Sequence, residues 1–188
     1  MLQLLGFTTG FVSLISYIPY IKDMFRGTTK PERASWFIWL VLGGIAFFSQ
    51  AAKGATDSLW LPGVQSFFNL VIFLLAIKFG VGGFARRDII ALVFAGVSLI
   101  LWYFTREAAI ALFIVIVIDA IGMVLTVLKS YEHPGSETIL SWYLFALSGF
   151  IAMFAVGKWD IVLLVYPLYI VIANLAVVGA IYLGKRRK

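Results

Sequence analysis

The chain has no cysteine, one histidine and few charges: 13% of its 188 residues are Asp, Glu, Lys or Arg. Without cysteine there is no disulfide, no thiolate nucleophile and no Cys-ligated metal. His133 stands beside a proline in a polar stretch, with no metal-ligating neighbour. No Ser–His–acid set can be assembled within the apolar blocks, and no Gly-Lys-Ser/Thr phosphate loop occurs. The sequence therefore offers no footing for an enzyme, a cofactor or direct ATP-driven pumping. No Lys or Arg precedes Lys22, so the charged n-region of a cleavable signal is missing. The first apolar block is expected to be a retained helix.

What is abundant is apolar: 62% of residues are hydrophobic and the mean hydropathy is +1.01. A water-soluble domain is expected to be about a quarter charged. Here there is too little polar surface to cover a globule, and the apolar residues come in long blocks. The expected class is an all-α polytopic membrane protein with the lipid bilayer as its solvent. The net charge of +6 does not call for nucleic acid, because the basic residues sit at the ends of the apolar blocks, where membrane topology explains them.

A bilayer-spanning helix needs about 20 mostly apolar residues. Seven such spans are expected: Leu4–Met24, Ser35–Ala52, Leu59–Phe79, Ile89–Phe104, Ala108–Leu128, Ile139–Val156 and Ile161–Leu183. Gly, Pro and charge clusters separate them. Twelve Lys and Arg fall on one side, in the stretches after helices 1, 3 and 5 and in the tail, against three on the other. The positive-inside rule then puts the N-terminus outside and the C-terminus in the cytoplasm. A plasma (inner) membrane is the expected location.

The chain also repeats itself. At an offset of 106 residues, Ser35-Trp36 matches Ser141-Trp142, and Gly43 matches Gly149. At 105, Pro62 matches Pro167 and Asn69-Leu70 matches Asn174-Leu175; at 103, Pro19 falls on Gly122. Helices 1–3 thus correspond to 5–7, and helix 4 restores the orientation that an odd number of spans would invert. The expected organisation is 3+1+3: a three-helix bundle over 1–80, a linker helix over 81–106 and a second, parallel bundle over 107–188.

Tyr17-Ile-Pro-Tyr-Ile, the basic stretch through Lys22, Arg26 and Lys30, and Ser35 opening the next helix resemble the PQ-loop motif of the SWEET and SemiSWEET sugar transporters. The resemblance extends over nearly the whole chain, with Tyr20 standing where the motif has Gln and Gly122 where the second copy has Pro. It implies an alternating-access transporter, facilitative or proton-coupled, for a small polar solute, with a sugar foremost. It also implies that Asn69 and Asn174 are a substrate-binding pair. Trp36-Phe-Ile-Trp39 is similar to the WxxW motif of PnuC vitamin carriers, which makes a vitamin or nucleoside carrier the alternative. A non-transporting receptor on the same scaffold is a further one.

Read as residues, the asparagine amides both donate and accept, which suits a hydroxyl-rich or zwitterionic ligand. Asp119 is the formal charge deep within a span, where it costs about 2.5–3.5 kcal/mol on insertion scales. It is expected to bind substrate or couple transport to protons. Ser16 in helix 1 and Gln65 and Ser66 in helix 3 lie on polar stripes and join the candidate site. Pro19 with Tyr20, its counterpart Gly122, and Pro62 and Pro167 are candidate hinge or gate positions. Trp36, Trp39 and Trp142 are by default interfacial anchors. A homo-oligomer is compatible with this pattern, but one chain is expected to contain the whole pathway.

Overall fold

The computed structural model describes residues 2–52, 60–105, 108–155 and 161–187. Seven α-helices account for nearly all of them: α1 (Leu2–Phe25), α2 (Arg33–Ala52), α3 (Trp60–Phe79), α4 (Arg86–Phe104), α5 (Ala108–Glu132), α6 (Ile139–Ala155) and α7 (Ile161–Arg186). Four are long and apolar enough to cross a membrane, namely Gln3–Phe25, Arg86–Phe104, Leu112–Glu132 and Leu164–Arg186. The apolar stretches Arg33–Phe48, Gly63–Phe79 and Ile139–Ala155 are shorter.

Several helices outrun the apolar blocks that announce them, by taking in Arg33, Arg86, Lys129, Glu132 and Lys185. Hydropathy marks where the side chains are apolar, whereas helical hydrogen bonding continues into the charged flank. Leu59 and Val156, expected at span ends, lie outside the described residues.

Six helices pack in a closed order, α1–α3–α2–α5–α7–α6 and back to α1, while α4 lies outside this ring against α5 and α2. Side-chain size explains the place of α4. It turns Ala91 and Ala95 inward, one against Ala34 and Leu125, the other against Ile38 and Ile118. Its large residues Val93, Phe94, Val97 and Ile100 point away and are more than half exposed. Small side chains at a crossing are what let helix backbones approach. The glycines repeated in the sequence serve the same end. A Cβ on Gly43 of α2 would stand 2.9 Å from Ser66 Oγ of α3. One on Gly149 of α6 would stand 2.8 Å from Ile170 Cγ2 of α7.

The connections 26–32, 80–85 and 133–138 meet at one end of the ring, called here the turn end. Lys30 N–H donates to Ser136 O (2.9 Å), Val81 N–H to Pro31 O (2.9 Å) and Arg33 N–H to Val81 O (3.0 Å). The Arg33 guanidinium donates to Ala76 O (2.8 Å), which also accepts from Gly80 N–H (2.8 Å), and to Gly82 O (3.0 Å) in the connection after α3. Gly82 and Gly83 take φ of +72° and +93°, a conformation that favours glycine. Their turn brings Gly82 against the Glu32 carboxylate and lets Asp88 accept from the backbone of Gly83 (2.6 Å) and Ala85 (3.0 Å).

Glu32 starts α2 by accepting from Ser35 N–H (2.7 Å) and Ser35 Oγ (3.1 Å), yet its Oε1 is buried without a hydrogen-bond partner. Burial pushes its carboxyl above the usual carboxylate range. The Ser35 hydrogen bonds pull it back, nearby Asp88 pushes it further up, and Lys129 opposes. A carboxyl raised on folding binds its proton more tightly folded than unfolded, so its ionised form costs stability at neutral pH. That cost vanishes as the pH falls through the raised value. Glu32→Gln is neutral throughout and lacks this slope. Wild type is therefore expected to gain stability relative to Glu32→Gln as the pH drops from neutral towards the ordinary carboxylate range. Thermal unfolding of both proteins in detergent across that range measures the difference, and a wild type that gains nothing on the variant, or loses to it, as the pH drops would contradict the assignment.

Candidate functional site

A cavity of about 400 Å³ lies within the ring, at the lower end of the size range of small-molecule sites. All six ring helices line it and α4 contributes nothing among the described residues. Its walls come from the half of the ring in which α1, α3, α5 and α7 begin. Its floor, towards the turn end, is aromatic: Tyr17, Trp36, Trp39, Trp142 and Phe145.

Asn69 of α3 and Asn174 of α7 both face this one space, as do Asp119, Gln65 and Pro167. Asn69 spends both ends of its amide on the fold, accepting from Tyr17 OH (3.1 Å) and donating to Trp39 O (3.1 Å). Asn174 donates to Ile170 O of its own helix (2.7 Å). Gln65 donates to Ser13 Oγ (3.4 Å). Asp119, half-buried, accepts from Tyr169 OH (2.6 Å).

Other expected members are elsewhere. The polar face of α1 splits: Thr9, Ser13 and Tyr17, at i, i+4 and i+8, line the cavity, whereas Ser16 and Tyr20 sit outside its lining and fully buried. Ser16 donates to Val12 O (2.8 Å), the back-bonding habit of a helical serine. Ser66 lies at the α2–α3 crossing beside Gly43. Gly122 lies at the α5–α2 crossing, where Ser35 Oγ donates to its carbonyl (2.6 Å) and in turn accepts from Thr126 (2.9 Å). Pro19 is inside α1. Pro62 is in the first described turn of α3, and its side chain is outside the described ones.

The tryptophans require a correction. Trp36 and Trp142 are each 2% exposed and, with Trp39, form the floor of the cavity rather than a belt at the helix ends. Lys129 also departs from expectation. Read in the sequence as a topological charge in a connection, it lies within α5, 1% exposed, and pairs with the fully buried Glu137. Below the aromatic floor, Glu137 also accepts from Tyr20 OH (3.2 Å) and Trp142 Nε1 (2.8 Å), and Trp36 Nε1 donates to Tyr20 OH (3.2 Å). Lys129 donates to Lys30 O (2.6 Å), while Thr29 and Thr138 hydroxyls meet at 2.5 Å. This network ties α1, α2, α5, α6 and two connections together at the turn end.

The polar residues of this network escaped sequence reasoning because they come from distant segments; Tyr20 and Glu137 are 117 positions apart. One signal was available. Trp36 and Trp142 match across the repeat, and Glu32 and Glu137 match at the 105-residue offset, a duplication that interfacial anchoring does not explain. No protein-family model, curated protein or solved structure matches the chain.

Proposed function

We propose that the protein is an integral membrane carrier that moves a small polar solute by alternating access. On this reading the bundles 1–80 and 107–188 are parallel repeats, α4 is the linker between them, and the helix ring is the transport unit of a single chain. The turn end, rich in Lys and Arg, faces the cytoplasm, and the N-terminus faces outside. The observation that carries the reading is the cavity within the ring, lined from both halves, with Asn69 and Asn174 on it and a buried polar seal beneath it. That combination is what a carrier caught closed to one side requires. Pro19, Pro167 and the glycine crossings then supply the places where the halves yield.

The resemblance to SWEET-type transporters supports the same conclusion, and the inward position of Trp36 and Trp39 favours a ring-bearing solute of the kind a PnuC-like carrier takes. A receptor on this scaffold would bind without flux.

Two measurements test the proposal. The purified protein in proteoliposomes should pass at least one solute from a panel of sugars, amino acids and vitamins, above empty vesicles. The same solute should raise the melting temperature of the parent protein. Asn69→Ala and Asn174→Ala should weaken that shift by about tenfold in solute concentration, the cost of one hydrogen bond to a polar ligand. Binding without flux would leave the receptor, and absence of both would end the carrier reading.

A further inference from the structure

Resting on the carrier reading, we infer that the cavity takes a small organic monocation, its charge held between the Asp119 carboxylate and the aromatic floor. Three observations lead there.

The first is charge. Among the described residues lining the cavity, Asp119 alone is formally charged. No Lys or Arg pairs with it among the described ion pairs. A carboxylate accepts at about four lone-pair positions, and the described hydrogen bonds to Asp119 amount to one, from Tyr169. The amides of Asn69, Asn174 and Gln65 are each already engaged within the protein. Among the described bonds Asn174 and Gln65 use one donor each, so Asp119 adds an unspent negative charge to the amide groups they still offer, and that charge favours a cationic solute over an uncharged one.

The second is the floor. Trp36 and Trp39 meet edge to face at 88° with centroids 5.0 Å apart, and Trp39 meets Trp142 at 62° and 6.3 Å. Tyr17 meets Phe145 at 77° and 5.0 Å. Rings set at steep angles turn their negative faces in several directions around a shared space, the arrangement that holds ammonium groups and cationic rings.

The third is the register that joins them. Trp39 touches α5 at Gly122, where an added Cβ would stand 3.1 Å from its Nε1. Asp119 is three residues earlier on the same helix, about 4.5 Å along its axis. Met123, the residue after Gly122, belongs to the same aromatic cluster. Carboxylate and indoles are thus one helical turn apart, on the scale of a single small cation.

The test compares each cation with its uncharged isostere: choline with dimethylbutanol, and N-methylpyridinium with N-methylpyridone. Binding to the purified wild-type protein in detergent is followed by tryptophan fluorescence and thermal shift. At least one cation should bind about tenfold or more tightly than its isostere. Asp119→Asn should erase that preference, and Asp119→Glu should retain part of it. The wild-type comparison decides even if the asparagine variant fails to fold. If neither cation outbinds its isostere, the charge inference is overturned. Flux of a sugar or other uncharged solute would in that case leave the carrier reading standing. Absence of flux for every solute, charged or not, would instead remove the carrier reading itself.

Discussion

Replacing Glu137 with alanine is expected to cost about 3–5 kcal/mol of folding stability, and Lys129→Ala about the same. Both side chains are sealed from solvent, at 0% and 1% exposure. Removing either leaves an uncompensated charge in the interior, and that penalty exceeds the net worth of the pair. Loss of Glu137 also strips the acceptor from Tyr20 OH and Trp142 Nε1, on side chains of residues that are 0% and 2% exposed. The double variant Lys129→Met/Glu137→Met leaves no charge stranded. Its loss should be clearly smaller than the sum of the single losses, though not zero, because the Tyr20 hydroxyl proton and Trp142 Nε1 lose their acceptor. Reversible unfolding in mixed micelles measures all three. Single variants within about 1 kcal/mol of wild type, or a strictly additive double, would show that the pair is hydrated and does not seal the turn end.

The second large effect is expected at Gly122. Alanine there improves the intrinsic helix preference by up to about 1 kcal/mol, but its Cβ stands 3.1 Å from Trp39 Nε1 and 3.5 Å from Ser35 Cα. The indole can give by a few tenths of an ångström, so the two effects nearly cancel and Gly122→Ala should change stability little. Leucine has no such escape. Its branches must enter the space of the α2 backbone, part α2 from α5 and break the 2.6 Å bond from Ser35 to the Gly122 carbonyl. A loss of about 1–3 kcal/mol is expected for overpacking, together with loss of any cavity ligand response, since Trp39 is part of the floor. A Gly122→Leu protein with wild-type stability and binding would mean that the helices can separate here freely, and that the crossing does not shape the cavity.

Length and hydropathy made the helices legible, because a run of about 20 apolar residues has few other uses. The closeness of Asn69 and Asn174 to one cavity was legible too, through their matching places in the repeat. The limits were geometric. Ser16 and Tyr20 share a polar stripe with Ser13 and Tyr17, but a cavity wall takes in a narrower arc of a helix than the stripe covers. Statistics put Trp at membrane surfaces, and Trp36 and Trp142 are drawn inward by hydrogen bonds to Tyr20 and Glu137. Lys129 counted as a surface charge until its partner, brought in by the 133–138 turn, was known. Local spacing carries no record of such pairings.

Asp119 has a further consequence for how such a protein can arise. At the 103-residue offset that aligns α5 with α1, its counterpart is Ser16. Two identical subunits meeting about a dyad must present every acidic group twice, and the pair would repel or share a proton. If the halves proposed above are repeats, holding both on one polypeptide lifts that constraint, so one half can carry a lone negative charge while the other keeps a neutral hydroxyl. On the proposed carrier reading, such a chain could tell apart the two ends of an asymmetric solute, which a symmetric pair of identical subunits could not.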